Sequence, residues 1–147
     1  MRLSTRARYG TRFLLDLALH YGQGPIALKD IAERQEISSQ YLQHIIMPLV
    51  VSGMLLSTRG AKGGVLLARR PQEIKLSEVI MILEGPTAPV DCVSNPAICA
   101  RSGSCVTRDV WCAVKRAMDG ILESITLRDL VDRQKEREKQ PQIAYFI

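Results

Sequence analysis

Residues 28–68 read LKDIAERQEISSQYLQHIIMPLVVSGMLLSTRGAKGGVLLA, and the way this stretch folds settles the rest of the chain. Ile31 and Ala32 mark the inward side of a short helix over Leu28 to Arg34, and Gln35 to Ile37 make a tight turn. Ser38 or Ser39 then caps a second helix to about Met47, with Leu42, Ile45 and Ile46 on its apolar side. Pro48 lacks the N–H that a helix interior uses, so a break or kink is expected before Leu49 to Ser52. Two short helices joined by such a turn predict a helix-turn-helix. Beyond them come apolar Met54 to Thr58, the glycine-rich turn RGAKGG and the apolar VLLA, which together predict a β-hairpin. A hairpin directly after a helix-turn-helix is a wing, and Arg59 and Lys62 stand at its tip.

Outward from this unit, residues 5–21 place Phe13, Leu14, Leu17, Ala18 and Tyr21 at helical spacing. Ser4 or Thr5 is the expected N-cap, and Gly22, Gly24 and Pro25 end the helix. Downstream, Ser77 is expected to cap a helix over Glu78 to Glu84 that closes at Gly85-Pro86. Pro86 to Ser104 holds three prolines and no periodicity, and reads as a loop. From Val106 onward, Val110, Trp111, Val114, Ala117, Met118, Ile121 and Leu122 recur at intervals of three and four. That is one long helix with a continuous apolar stripe, which a second copy of the chain is expected to cover, Trp111 serving as an anchor. Thr126 starts a last helix, apolar at Leu127 and Leu130 and charged and solvated after Val131. The expected fold is mainly α. A winged helix-turn-helix domain occupies residues 1–84, a cysteine-rich loop 85–104, and the dimerisation helix and C-terminal helix 105–147.

The 147 residues carry a net charge of +5, unevenly placed. Residues 1–70 hold ten Lys and Arg against four Asp and Glu; residues 71–147 hold ten against eleven. A basic first half suits a polyanion such as double-stranded DNA. Residues 37–58 contain no charged side chain, but only Ile45 to Leu56 is densely apolar, and Pro48, Ser52 and Gly53 interrupt it. A run of about 10–14 apolar residues reads as buried core rather than a membrane span. MRLSTRARYG has no apolar core with a cleavage site, so no signal peptide and no membrane partner are expected. The expected location is the cytoplasm, where thiols stay reduced.

Every cysteine lies between Asp91 and Cys112, in DCVSNPAICARSGSCVTRDVWC. The spacing matches neither a zinc ribbon nor a disulfide framework, and clustered reduced thiols point to a soft metal or redox chemistry. Zinc held by all four cysteines and a disulfide formed on oxidation both stay open at this point. His20 and His44 lie far from the thiols in sequence, and no phosphate-binding loop is visible. A nucleophile without a base makes a poor enzyme, so no enzyme is expected.

MRLSTRARYGTRFLLDLAL, ALKDIAERQEISSQYLQHI, TRGAKGGVLLAR and ITLRDLV together resemble the Rrf2 family of bacterial transcription regulators, from Met1 to about Arg133. The resemblance implies a homodimer on palindromic operators, with DNA affinity in many members governed by an iron–sulfur cluster, [2Fe–2S] or [4Fe–4S]. Other members carry no cluster, and one branch answers to a partner enzyme. Position and resemblance agree on Ser38, Ser39, Gln40, Tyr41, Gln43 and His44, at the start and exposed side of the second helix of the motif, and on Arg59 in the wing, where Lys62 joins it as a DNA contact by position. Arg2, Arg6 and Arg8 are candidates for phosphate contact, and His44 is expected to be exposed. Val50 and Val51 stand where many members carry basic residues. Cys92, Cys99 and Cys105 match the family's three cluster ligands. The fourth does not carry over: Arg108 replaces the histidine of IscR-type members, and Arg8 replaces the acidic residue of NsrR-type members. Cys112, Asp109 or an outside ligand remain as substitutes. Cys112 lies seven residues after Cys105, about 10 Å along a helix.

Overall fold

A computed structural model describes residues 2–140. Met1 and residues 141–147, the outer ends of the first and third expected segments, lie outside the described residues. Helix α1 spans Thr5–Leu19 and starts as its sequence dictates, with the Ala7 N–H donating to Ser4 Oγ at 3.1 Å. Its apolar face buries Ala7, Phe13, Leu14, Leu17 and Ala18, whereas Tyr21 lies past the helix end and is exposed. Tyr21 was expected on the apolar face; the chain turns away at His20, and Gly22 and Gly24 adopt positive φ.

Helix α2 spans Leu28–Gln35 and α3 spans Ser39–Val51. Ser38 caps α3 by accepting from the Tyr41 N–H at 3.2 Å. The expected break at Pro48 does not occur. Proline here forfeits only the bond to the carbonyl of His44, a solvent-facing residue, while fully buried Leu49 holds the last turn against the core. Gly53, at φ 76, ends the helix, with Met54 N–H donating to Leu49 O and Gly53 N–H to Val50 O, both at 3.0 Å.

Strands β1, Leu55–Thr58, and β2, Gly64–Leu67, pair antiparallel with Leu55 opposite Leu67. Ile26 adds a third rung, exchanging two 2.9 Å backbone bonds with Val65. Helix α4 spans Leu76–Leu83 and packs on α1 and α3. Ser77 does not cap it: the helix starts two residues earlier than expected, at Leu76 behind Lys75, and the Ser77 hydroxyl instead donates to Glu123 Oε2 at 2.6 Å. The segment expected to be a loop holds a short helix, α5, at Asp91–Ser94 and a 3-10 turn at Pro96–Ile98, which Asn95 caps through the Ala97 N–H.

Helix α6 spans Val106–Ser124 and buries none of its residues. Helix α7, Leu127–Lys139, returns to the domain, with Thr126 and Asp129 capping each other reciprocally. Its Leu127 and Val131 join the core; Leu130, expected inward, is half-buried. The bond from Leu127 N–H to Ile74 O and that from Leu76 N–H to Ile125 O, both 2.9 Å, fasten the α6–α7 junction to the start of α4. No helix among the described residues is long and apolar enough to cross a membrane.

Candidate nucleic-acid interface and cysteine loop

The turn between α2 and α3 is built on Glu36, whose φ of 54° places a non-glycine residue in the left-handed region. Ile37 N–H donates to Ala32 O at 3.0 Å and Glu36 N–H to Glu33 O at 3.3 Å, closing α2 and burying Ile37. Asp16 of α1 holds this turn from below. It is 2% exposed and accepts from Arg34 Nη2 at 2.6 Å, Arg34 Nε at 3.0 Å and Gln35 Nε2 at 2.9 Å. Burial pushes its carboxyl up, but the bonds from Arg34 and Gln35 and the Arg34 charge outweigh that and hold it below the usual carboxylate range.

With its inner side packed, α3 presents Ser39, Gln40, Gln43, His44, Met47 and Val51 to solvent. Ser38 is also exposed, and Tyr41 is half-buried, its ring edge-on to Tyr9 at 5.9 Å. The guanidinium groups of Arg8 and Arg12 lie over the Tyr9 ring at 5.8 and 5.5 Å. Arg12 also donates from Nη2 to Gln35 O at 2.5 Å and from Nε to Gln35 Oε1 at 3.3 Å. Sequence reading missed Arg12; its place one helical turn after Arg8 is the signal that could have found it. Arg2 and Arg6 are exposed at the start of α1, and no hydrogen bond or ion pair joins them to α3 among the described residues. Arg59 and Lys62 are exposed at the hairpin tip, and neither enters an ion pair among the described residues.

The four thiols are free and half-buried. Cys92 sits on α5, Cys99 follows the 3-10 turn, and Cys105 is the N-cap of α6. A hydrogen bond with the Thr107 hydroxyl, together with the backbone N–H of Arg108, lowers the Cys105 thiol from its ordinary range. Arg108 donates from Nε to the Cys92 carbonyl at 2.9 Å and so ties α5 to α6. Asp109 is exposed in the first turn of α6, and Cys112 is half-buried a turn further on. No three His, Cys, Asp or Glu side chains among the described residues converge to hold a metal ion. The donor chemistry of three thiolates suits an iron–sulfur cluster, but the loop must draw together to supply it.

Three helices with α3 outward and a two-stranded wing behind it define a winged helix-turn-helix. The model of the Rrf2 family, described as iron-dependent transcriptional regulator, matches residues 3–133. The chain is 44% identical over 131 residues to "Protein rrf2" of Nitratidesulfovibrio vulgaris, covering 89% of this chain and 87% of that protein. Its fold superposes on "T. potens IscR" with a TM-score of 0.79 at 38% identity, over 99% of this chain and 97% of that one. The cysteine regulator CymR of Bacillus subtilis gives a TM-score of 0.77 at 35% identity, over 90% and 98% of the respective chains. The chain belongs to the Rrf2 family of DNA-binding transcriptional regulators.

Proposed function

We propose that the chain is a cytoplasmic, homodimeric repressor that binds palindromic double-stranded DNA, with affinity set by an iron–sulfur cluster on its cysteine loop. The carrying observation is the exposed side of α3, uncharged and lined by Gln40, Gln43 and Ser39, together with Arg59 and Lys62, exposed on the wing and in no ion pair among the described residues. Amides and hydroxyls read base edges in the major groove, and a wing arginine suits a narrow minor groove. Residues 1–84 form the DNA-binding unit, with Ser38, Ser39, Gln40, Tyr41 and Gln43 on the bases and Arg2, Arg6 and Arg8 on phosphates. Residues 85–104 form the sensing loop, and residues 105–147 pair the protomers. Cys92, Cys99 and Cys105 would hold the cluster, with Cys112 or Asp109 as fourth ligand. When bound, a cluster supplies a redox- and iron-sensitive centre; the chain's part is to present thiolates and to couple the loop to α6.

One observation favours a second reading. Arg108 is already committed to the Cys92 carbonyl, and the thiols do not converge. This fits a cluster-free regulator governed by a partner enzyme; the other cluster-free alternatives, thiol oxidation and zinc, would need the thiols to draw together as a cluster does.

Anaerobic purification with iron and acid-labile sulfide counts, combined with operator titrations, tests both. Under the first reading the wild type carries iron and sulfide, and Cys99→Ala folds but loses both. Arg59→Ala keeps the iron and binds its operator about tenfold more weakly, the worth of a contact of about 1.4 kcal/mol. A folded wild type without iron or sulfide selects the second reading. Unchanged affinity in Arg59→Ala removes the wing from the interface.

A further inference from the structure

Met47 is 65% exposed, a long apolar side chain turned to solvent on a helix that buries Leu42, Ile45, Ile46 and Leu49 and leaves Val51, at its last turn, exposed as well. Single exposed apolar residues are common and by themselves signify nothing. Met47 differs by its position. It follows Gln40 by seven residues and Gln43 by four, so it shares their outward face and extends that face by about 10 Å, the length of about three base-pair steps. His44 and Val51 flank it on the same side, and residues 37–58 contain no charged group. This part of α3 therefore offers a phosphate no lysine or arginine. What it offers is a flexible, polarizable thioether. In the major groove the matching apolar feature is the C5-methyl of thymine.

We infer that Met47 is a base-reading residue, and that the half-site beneath α3 presents a thymine methyl to it. The inference rests on the DNA-binding reading above and deepens it by naming the chemistry of one base contact. Docking removes water from the Met47 terminal methyl and from the thymine methyl together. One such methyl contact is worth about fourfold in affinity, or about 0.8 kcal/mol. Because the side chain is exposed, Met47→Ala leaves the fold intact, and a thermal unfolding curve matching that of the wild type verifies this.

The test uses the full chain and a duplex that it enriches from a random-sequence pool. Each thymine of the half-site is replaced in turn by deoxyuridine, which lacks only the methyl, and affinity is measured for wild type and Met47→Ala. The expected result is that one uridine substitution weakens the wild type about fourfold and leaves Met47→Ala unaffected. The inference is overturned if every uridine substitution leaves the wild type unchanged, or if both proteins lose equally. A pool from which no duplex is enriched overturns the DNA-binding reading and this inference together.

Discussion

Asp16 is the one charged side chain buried among the described residues, and its three bonds to Arg34 and Gln35 join α1 to the end of α2. Gln35 in turn carries Arg12, so a carboxylate inside the domain orients a cation on its surface. Its pKa lies below that of an unfolded aspartate, so its contribution is complete at neutral pH and is lost as pH falls below about 4. Asp16→Asn should therefore cost about 2 kcal/mol at pH 7, the scale of charge-assisted hydrogen bonds lost from a buried site. The gap should narrow as pH falls below about 4. Urea titrations of both proteins at several pH values check this, and a gap independent of pH would refute it.

At the scale of elements, the wing depends on a glycine that it cannot replace. A Cβ on Gly64 would lie 2.2 Å from the carbonyl oxygen of Ile26, a backbone atom that cannot swing aside. Alanine ordinarily improves on glycine inside a strand by about 0.5–1 kcal/mol. Here overpacking should prevail, and Gly64→Ala should lose about 2 kcal/mol while opening the Ile26–Val65 bridge. Denaturant unfolding and amide exchange at Val65 report both effects; an alanine variant as stable as the wild type would contradict the argument. The hairpin itself was legible, because glycine turn and apolar flanks are local signals. The helix-turn-helix was legible through periodicity for the same reason. Pro48 misled because its local rule was outweighed by Leu49, whose burial is decided by distant chain. Ser77 misled because a serine can cap its own helix or bind another, and only the fold brings Glu123 within reach. Among the site residues, the cysteines and wing cations were visible by type and place. The Asp16–Gln35–Arg12 relay was not, since it joins side chains from two helices.

For the whole molecule, the feature that matters is the uncovered stripe of α6. Val110, Trp111 and Ile121 are exposed along it, and Trp111 still shows 37% of its surface. If a second protomer covers that stripe, Ile121→Glu places a charge in the interface and should drive the chain to monomers. Because Ile121 lies outside the core, helix content should stay close to wild type, while the midpoint of unfolding falls with the loss of the stabilising association. Sedimentation at micromolar concentration distinguishes the outcomes, and a variant that remains dimeric would place the interface elsewhere.

The C-terminal end of α6 is fastened by Lys75 and Ser77 on Glu123 and by the backbone bond from Leu76 to Ile125. At 19 residues the helix is about 28 Å long. Anchored at that end, it is a lever arm. A rotation of about 5° about Glu123 carries Cys105 sideways by about 2.5 Å. Driven from the sulfur end, the same arm is a reduction gear: a displacement of that size among the cysteines arrives at Lys75 as a change of angle with almost no translation. Were the cysteine loop to move on loading, motion of this kind would re-aim the winged unit through a change of angle at Lys75.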